Sequence, residues 1–394
     1  WVGVGARDEP PEHSGVSHFL EHLLFKGTES RSAHDIAKAV DRVGGEMNAF
    51  TAKEYTSYYC RLPAEHIGLG IELLGDVLTA PALRDAEVDS ERQVILEELL
   101  MDEDTHEDRV HTLLFASLFP KHPLGRETAG DRKSVAAVRG DDIRTFFSHW
   151  YVPSNMVVAA AGHIDHDEIV AEVGRRFSAD ATIAAPQRHA PRGKVRPLAV
   201  LRRGTEQAHI ALGFRGLPRT DPDREALDAV NHVLGGGMSS RLFDEIREQR
   251  GLAYAVYSSP VSYADAGALT VYAGTAPANV DDVLDLIDGE LKRMRAEGLD
   301  HDDLAVALGY LTGSYVIGLE DTASRMARLG SQLTVLGRVR SVEEQIERYR
   351  AVTPSDAARA IERVLGGPQC LAVVGPLTRK ELATRAPLQV TDTI

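Results

Sequence analysis

His18, Glu21 and His22 lie in the stretch Ser17-His-Phe-Leu-Glu-His-Leu-Leu-Phe-Lys-Gly-Thr28 and form the pattern H-x-x-E-H. On an α-helix, residues four apart share one face a turn apart, and the residue at i+3 lies beside them. His18 and His22 can therefore both point at one metal ion, with Glu21 close enough to hold a water bound to it. Phe19, Leu20, Leu23 and Leu24 occupy the other faces, so the helix is expected to be buried nearly all round. Two imidazoles and a carboxylate in such a place are costly unless paired or metal-bound. A hydrogen-bonded pair of core histidines is the competing reading of these residues taken alone.

Catalytic zinc takes three protein ligands and keeps one position open. The acidic stretch Ser90-Glu-Arg-Gln-Val-Ile-Leu-Glu-Glu-Leu-Leu100 is the candidate source of the third. Glu91 and Glu98 are seven residues apart, two helical turns, and share a face. Val94 and Ile95 lie between them, which marks that face as the inward one; Glu97 is offset from it. Helical geometry thus nominates Glu98 as a ligand and Glu91 as a carboxylate that orients a ligating histidine. Asp102, Glu103, Asp104, Glu107 and Asp108 read as a solvated acidic face.

The elements around these residues follow from the pattern of the chain. A short strand over residues 1–6 leads through a polar loop into the His18 helix, and a helix from about Ser32 to Val43 stops at Gly44-Gly45. Paired strands follow over 47–51 and 56–60, then a helix over 67–78 and a long one over 85–104. Further helices reach Trp150, a buried strand is expected over 156–162, and a helix over 165–177. Residues 178–198 lose apolar periodicity and read as a linker. Beyond it the order repeats. A strand over 208–214 leads to a helix ending Asn231-His232-Val233-Leu234-Gly235, comparable to Glu21-His22-Leu23-Leu24-Phe25. Aligned on His22 and His232, His18 becomes Asp228 and Glu21 becomes Asn231. A repeat period of roughly 200 residues is a domain duplication rather than a solenoid. The expected division is a catalytic metal-binding domain over 1–180, a linker over 181–198 and a degenerate second domain over 199–394.

Bulk properties bound the function. A chain of 394 residues with 43% hydrophobic and 26% charged residues is a globular protein of two or more domains. A net charge of −15 argues against nucleic acid as a partner and is compatible with basic peptides. No run of eighteen apolar residues suggests a membrane span. Cys60 and Cys370 form no C-x-x-C motif and sit in apolar strand sequence, so they read as inert core residues in a reducing, cytoplasmic setting. Trp1 is no initiator Met, so a lost N-terminal segment is compatible with the sequence. Gly235-Gly236-Gly237 lacks a following Lys-Ser/Thr and is no phosphate loop; a flexible turn is expected there. Frequent Ala, Arg, Asp and Val suggest a bacterium of high genomic GC content.

The sequence resembles the insulinase/pitrilysin family of inverted-motif zinc peptidases. It looks most like the branch of bacterial processing-peptidase-like enzymes and the β subunit of the mitochondrial processing peptidase. The matching blocks are His18 to Thr28, Gly44-Gly45-x-x-Asn48-Ala49-x-Thr51, and Glu91-Arg-Gln-Val-Ile-Leu-Glu-Glu98. Ser240-Arg241-Leu242 and Ile246-Arg247-Glu248-x-x-Gly251-Leu252-Ala253-Tyr254 add to them. In that family the third ligand follows the second histidine at a distance that falls on Glu98. The resemblance implies one Zn2+ per chain on His18, His22 and Glu98, Glu21 as general base, and Asn48 and Ala49 on an edge strand that pairs with extended substrate. It also implies Arg247 as a holder of the substrate backbone and Tyr254 as an oxyanion donor brought from the second domain. The implied fold is α+β: two homologous domains, each a mixed, mainly antiparallel sheet with packed helices, closing like a clam on a peptide chamber. The implied function is zinc-dependent endopeptidase action on unfolded peptides, in a homodimer or heterodimer. The alternative is a non-catalytic partner or structural subunit, like the core proteins of respiratory complex III. The intact metal pattern speaks against it.

Overall fold

The computed structural model describes residues 1–177 and 182–385. Residues 178–180, residue 181 of the expected linker, and 386–394 of the expected second domain lie outside the described residues. The chain forms two compact units that are not consecutive in sequence. The first comprises 1–101, 126–187 and 318–340; the second comprises 102–125, 188–317 and 341–394.

The first unit holds α1 (Val16–Leu24), α2 (Ala33–Asp41), α3 (Ile67–Thr79) and α4 (Asp85–Asp104, up to Met101). The hairpin β1 (Glu46–Thr51) and β2 (Thr56–Arg61) pairs antiparallel from Glu46↔Arg61 to Thr51↔Thr56. Val2 bridges Thr56 on one side and Met156 on the other, so three segments run side by side. The expected strand over 156–162 is realised only at its start, where Val157 N–H donates to the Trp1 carbonyl at 2.8 Å. Beyond it, residues 158–161 have no neighbouring strand among the described residues, and so no ladder forms. The core gathers Phe19, Leu20, Leu23 and Leu24 with Val77, Ile95 and Ile143, all at most 1% exposed. α1 is thus buried nearly all round, as its sequence predicts.

The second unit includes α5 (His106–Leu118). The first unit resumes with α6 (Arg132–Ala137), α7 (Gly140–Trp150) and α8 (His166–Arg176). The second unit then adds β3 (Leu198–Arg202), β4 (Ala208–Gly216), α9 (Arg224–Asn231), β5 (Ala253–Ser262), β6 (Gly267–Thr275) and α10 (Val280–Glu297). It continues with α11 (His301–Gly318, up to Ile317), whereas α12 (Thr322–Leu336) belongs to the first unit. α13 (Val342–Arg350), α14 (Pro354–Leu365), β7 (Gln369–Gly375) and α15 (Arg379–Arg385) complete the second. The five strands lie in the order β3-β7-β4-β6-β5, with β3 and β7 parallel and the other neighbours antiparallel. One face packs on α9, α10 and α14 through Leu212, Val271, Val230, Ile287 and Ile361. On the other, Val110, Leu114 and Leu118 of α5 meet the small residues Ala199, Ala211, Ala268 and Ala372. Covered on both faces, β6 is buried along its whole length.

After α9 the chain widens into a turn of five-residue spacing over His232–Gly236. A Cβ on Gly235 would lie 2.6 Å from the Ser258 backbone nitrogen. The glycine run is therefore a close-packing site against β5, in place of the flexible turn expected from sequence. Both cysteines are free thiols, pushed up by burial to about 11 for Cys60 and about 12 for Cys370. Among the described residues, no helix is long and apolar enough to cross a membrane.

Candidate metal centre

α1 is fixed at its start by a residue from outside the helix. Glu9 accepts the N–H of Gly15 through Oε2 and of Ser17 through Oε1, both at 2.7 Å. A carboxylate on the open N–H groups of a helix also meets the positive end of its dipole. Gly15 precedes the helix with φ of 96°, a left-handed conformation that favours glycine. These contacts set the rotation of α1 about its axis, and with it the direction of His18 and His22.

The two imidazoles lie edge to face, ring centres 4.7 Å apart. Glu98 Oε2, on α4, is 3.7 Å from His18 Nε2 and 3.5 Å from His22 Nε2. The three residues each offer a ligand atom, and these atoms lie within 4.8 Å of one another. In a tetrahedral zinc site, bonds of about 2.0–2.2 Å place neighbouring donors about 3.4 Å apart. Both His–Glu separations fall near that value, and they are too long for hydrogen bonds. Two imidazole nitrogens and one carboxylate oxygen are also the donor set of catalytic zinc. The donor set fits the ion on chemistry, and both His–Glu separations fit its geometry. Among the described residues no other group of three His, Cys, Asp or Glu side chains comes this close.

Glu91 stands behind this set. It is 4% exposed, with Oε2 3.2 Å from His22 Nδ1 and Oε1 2.6 Å from Lys26 Nζ. A carboxylate on Nδ1 holds the proton there and leaves the Nε2 lone pair for a metal. The Lys26 ammonium, two turns beyond His18, compensates the buried charge. His18 Nδ1 has no hydrogen-bond partner among the described residues. Burial, helped by neighbouring His22, pushes His18 down to about 4, so its imidazole is neutral at physiological pH.

The face of α4 differs in one residue from the sequence reading. Its buried stripe is Val88, Glu91, Ile95 and Leu99, at helical spacing, whereas Val94 is 47% exposed. Ile95 packs inward and Val94 looks out, because the stripe centres on Ile95. Glu98, at the edge of the stripe, is half-buried and reaches the histidines.

Glu21 projects beside them. Burial pushes its carboxyl above the usual carboxylate range, opposed by a hydrogen bond that Thr51 Oγ1 donates to Oε2 at 2.6 Å. Along β1, Met47, Ala49 and Thr51 alternate with the exposed Glu46, Asn48 and Phe50. Asn48 Oδ1 accepts the N–H of Ala49 at 2.8 Å, and β1 pairs with β2 alone among the described strands. Its other edge has no strand beside it among the described residues. The remaining two candidates belong to the second unit. The Arg247 guanidinium lies 4.8 Å from the ring centre of Phe243 and 4.9 Å from that of Tyr254, which is 80% exposed. The structure thus joins His18, His22, Glu98, Glu91 and Glu21 in one cluster and Arg247 and Tyr254 in another.

Local spacing in the sequence carries no signal for Glu9, Lys26 or Thr51. Lys26 and Thr51 stand inside the blocks that carry the family resemblance, which was the available signal. The second half shows what the duplicated helix becomes without ligands. Asp228 faces Tyr349 at 3.5 Å and Arg224 at 3.7 Å, and the His232 ring stacks on Tyr310 with centres 4.2 Å apart.

A family model described as "Insulinase (Peptidase family M16)" matches residues 1–132, and one described as "Peptidase M16 inactive domain" matches 137–310. The chain is 46% identical over 389 residues to an uncharacterized zinc protease of Streptomyces coelicolor, covering 97% of this chain and 85% of that one. It is 36% identical over 377 residues to an uncharacterized zinc protease of Bacillus subtilis, covering 95% and 92%. A crystal structure of a protease from Helicobacter pylori has the same fold, with a TM-score of 0.87, 22% identity, and 95% and 92% of the two chains covered.

Proposed function

The chain belongs to the M16 insulinase family of peptidases, and on that premise we propose that it is a zinc-dependent endopeptidase acting on unfolded peptides. The observation that carries this reading is the convergence of His18, His22 and Glu98 on one point, with Glu21 beside them. His18, His22 and Glu98 are assigned as ligands of one Zn2+ per chain, and Glu91 as the residue that orients His22. When bound there, zinc supplies Lewis-acid polarisation and makes water acidic enough to act near neutral pH. Glu21 takes a proton from the attacking water as the peptide carbonyl is attacked, then gives it to the leaving amine. A carboxyl held above the usual range by burial suits both transfers.

In this reading residues 1–180 carry the metal chemistry and 199–394 supply substrate-binding residues. Asn48 and Ala49 on the open edge of β1 pair with an extended peptide, a mode that selects unfolded chains. Arg247 holds the substrate backbone and Tyr254 donates to the oxyanion. A homodimer or a heterodimer with a related chain, working in a bacterial cytoplasm, completes the proposal.

The test is cleavage of a quenched, arginine-containing peptide of about ten residues, long enough for strand pairing. Cleavage abolished by a chelator and restored by zinc supports the reading. A protein that binds zinc and cuts nothing, alone or with a related chain, is instead a non-catalytic subunit.

A further inference from the structure

Thr51 ends β1 on the face that carries Met47 and Ala49, and its Oγ1 is 2.6 Å from Glu21 Oε2. The H-x-x-E-H pattern does not require this contact. Its consequence for Glu21 is geometric. A glutamate side chain is free about three bonds, and ordering it costs rotamer entropy. A hydroxyl that donates to an ionised carboxylate makes a short, strong bond. With Oε2 held, rotation of the carboxylate is restricted, which favours Oε1 as the oxygen for proton transfer.

The donor itself sits on a rigid backbone. Thr51 pairs with Thr56 at the closed end of the hairpin. Thr56 is fully buried, exchanges two backbone hydrogen bonds with Val2 at 2.8 and 3.1 Å, and donates its hydroxyl to the Val4 carbonyl at 3.0 Å. An anchored threonine can fix a neighbour in a way that a mobile loop residue cannot.

The duplicated half provides an internal comparison. Asn231, which aligns with Glu21, accepts a hydrogen bond from Ser258 Oγ on β5 through Oδ1 at 2.7 Å. The tie from helix to following strand is thus present twice. In the second half it ends on an amide that can take no proton and, among the described residues, has no ligand set beside it, so there it serves packing alone. In the first half the same tie ends on the one carboxylate suited to move a proton.

We propose that Thr51 is a positioning residue for peptide hydrolysis, holding Glu21 Oε2 so that Oε1 alone faces the attacking water; this rests on the peptidase reading above. Thr51→Val removes the donor at nearly constant shape, and Thr51→Ser keeps it. Ser258→Ala removes the matching tie in the second half and measures the structural cost by itself.

Thr51→Val should lower kcat about 10- to 100-fold with KM within about twofold, the scale of a misplaced catalytic group. Thr51→Ser should return kcat to within about threefold of wild type, and Ser258→Ala should leave it unchanged. A readout without turnover accompanies these. Crystal structures should show Glu21 in one rotamer in wild type and Thr51→Ser, and in more than one in Thr51→Val. Zinc affinity should stay within about threefold throughout, since no ligand is touched. A Thr51→Val enzyme with wild-type kcat, or with Glu21 unmoved, overturns the proposal. Glu21→Gln separates this failure from a deeper one. If Glu21→Gln is inactive while Thr51→Val is fully active, only the role of Thr51 falls. If Glu21→Gln cleaves normally, or wild type cleaves nothing, the peptidase reading falls and takes this proposal with it.

Discussion

His22 Nδ1 lies 3.2 Å from Glu91 Oε2, and the other oxygen of that buried carboxylate is held by Lys26 Nζ at 2.6 Å. The relay runs from an ammonium through a carboxylate to an imidazole, and ends at the Nε2 that faces Glu98. In the proposed zinc site this relay fixes both the tautomer and the ring orientation of His22 and leaves the ligand set untouched. Glu91→Gln should therefore weaken zinc binding about 10- to 100-fold, the usual cost of losing a partner behind a ligating histidine. Lys26→Met should act in the same direction and less strongly. Competition with a chromophoric chelator measures both; unchanged affinity in Glu91→Gln would leave the relay without a role in binding the metal.

Removal of a ligand should be more drastic. Wild type should hold one zinc per chain by elemental analysis, and His18→Ala, His22→Ala and Glu98→Ala should each hold little. Zinc bound only by the folded chain stabilises it by about 2.7 kcal/mol at a free concentration 100 times Kd. A chelator should accordingly lower the melting temperature of wild type and leave that of Glu98→Ala where it was. A Glu98→Ala protein that keeps full zinc would remove Glu98 from the ligand set.

The degenerate half makes a prediction about pH. Asp228 stands where His18 stands in the first half, and burial pushes its carboxyl from 3.8 up to about 6. The contacts from Tyr349 at 3.5 Å and Arg224 at 3.7 Å are too long to compensate. Between those two pH values the folded chain keeps a proton that the unfolded chain has released. The contribution of protonated Asp228 to stability is thus complete below about pH 4 and is lost as pH rises through about 6. Asp228→Asn cannot ionise. It should match wild type near pH 4 and exceed it at neutral pH, by at most about 3 kcal/mol. Urea unfolding at the two pH values checks this, and a variant less stable than wild type at neutral pH would contradict it.

Packing of α1 should feed into the metal site. Phe19 is fully buried, with the Arg92 guanidinium 5.5 Å from its ring centre. Arg92 also donates to the Val135 and Val138 carbonyls at 2.8 and 2.6 Å, so the ring lies under a tethered residue. Phe19→Ala should cost about 3–5 kcal/mol by denaturant unfolding. Because the lost volume lies on the back of the ligand helix, zinc affinity should fall as well. Leu382→Ala, equally buried in the second unit, should destabilise without that second effect.

Much of this was legible in the sequence, for identifiable reasons. His18, Glu21 and His22 lie within one turn of one helix, so their geometry follows from periodicity. Glu98 and Glu91 are two turns apart on another helix, and a shared face suffices to nominate both. Val94 marks the limit of helical periodicity: a stripe at 3.6 residues per turn admits Ile95 or Val94 at its centre, and only packing decides. α5 shows a second limit. The apolar face of Val110, Leu114 and Leu118 predicts a buried helix and carries no information about which sheet covers it. It lies on the small residues of the second unit. Glu9, Lys26 and Thr51 are not legible in the sequence because each acts through a contact to a distant segment, and no local spacing encodes such contacts.

The most direct test of the account is the rate of peptide hydrolysis by zinc-loaded Glu21→Gln. Glutamine keeps the shape of the side chain and can still accept from Thr51, but it cannot take a proton from water. Zinc binding should stay close to that of wild type, and kcat should fall by about 10²- to 10⁴-fold, the range for loss of a general base. Hydrolysis at the wild-type rate by a zinc-loaded Glu21→Gln enzyme would contradict it.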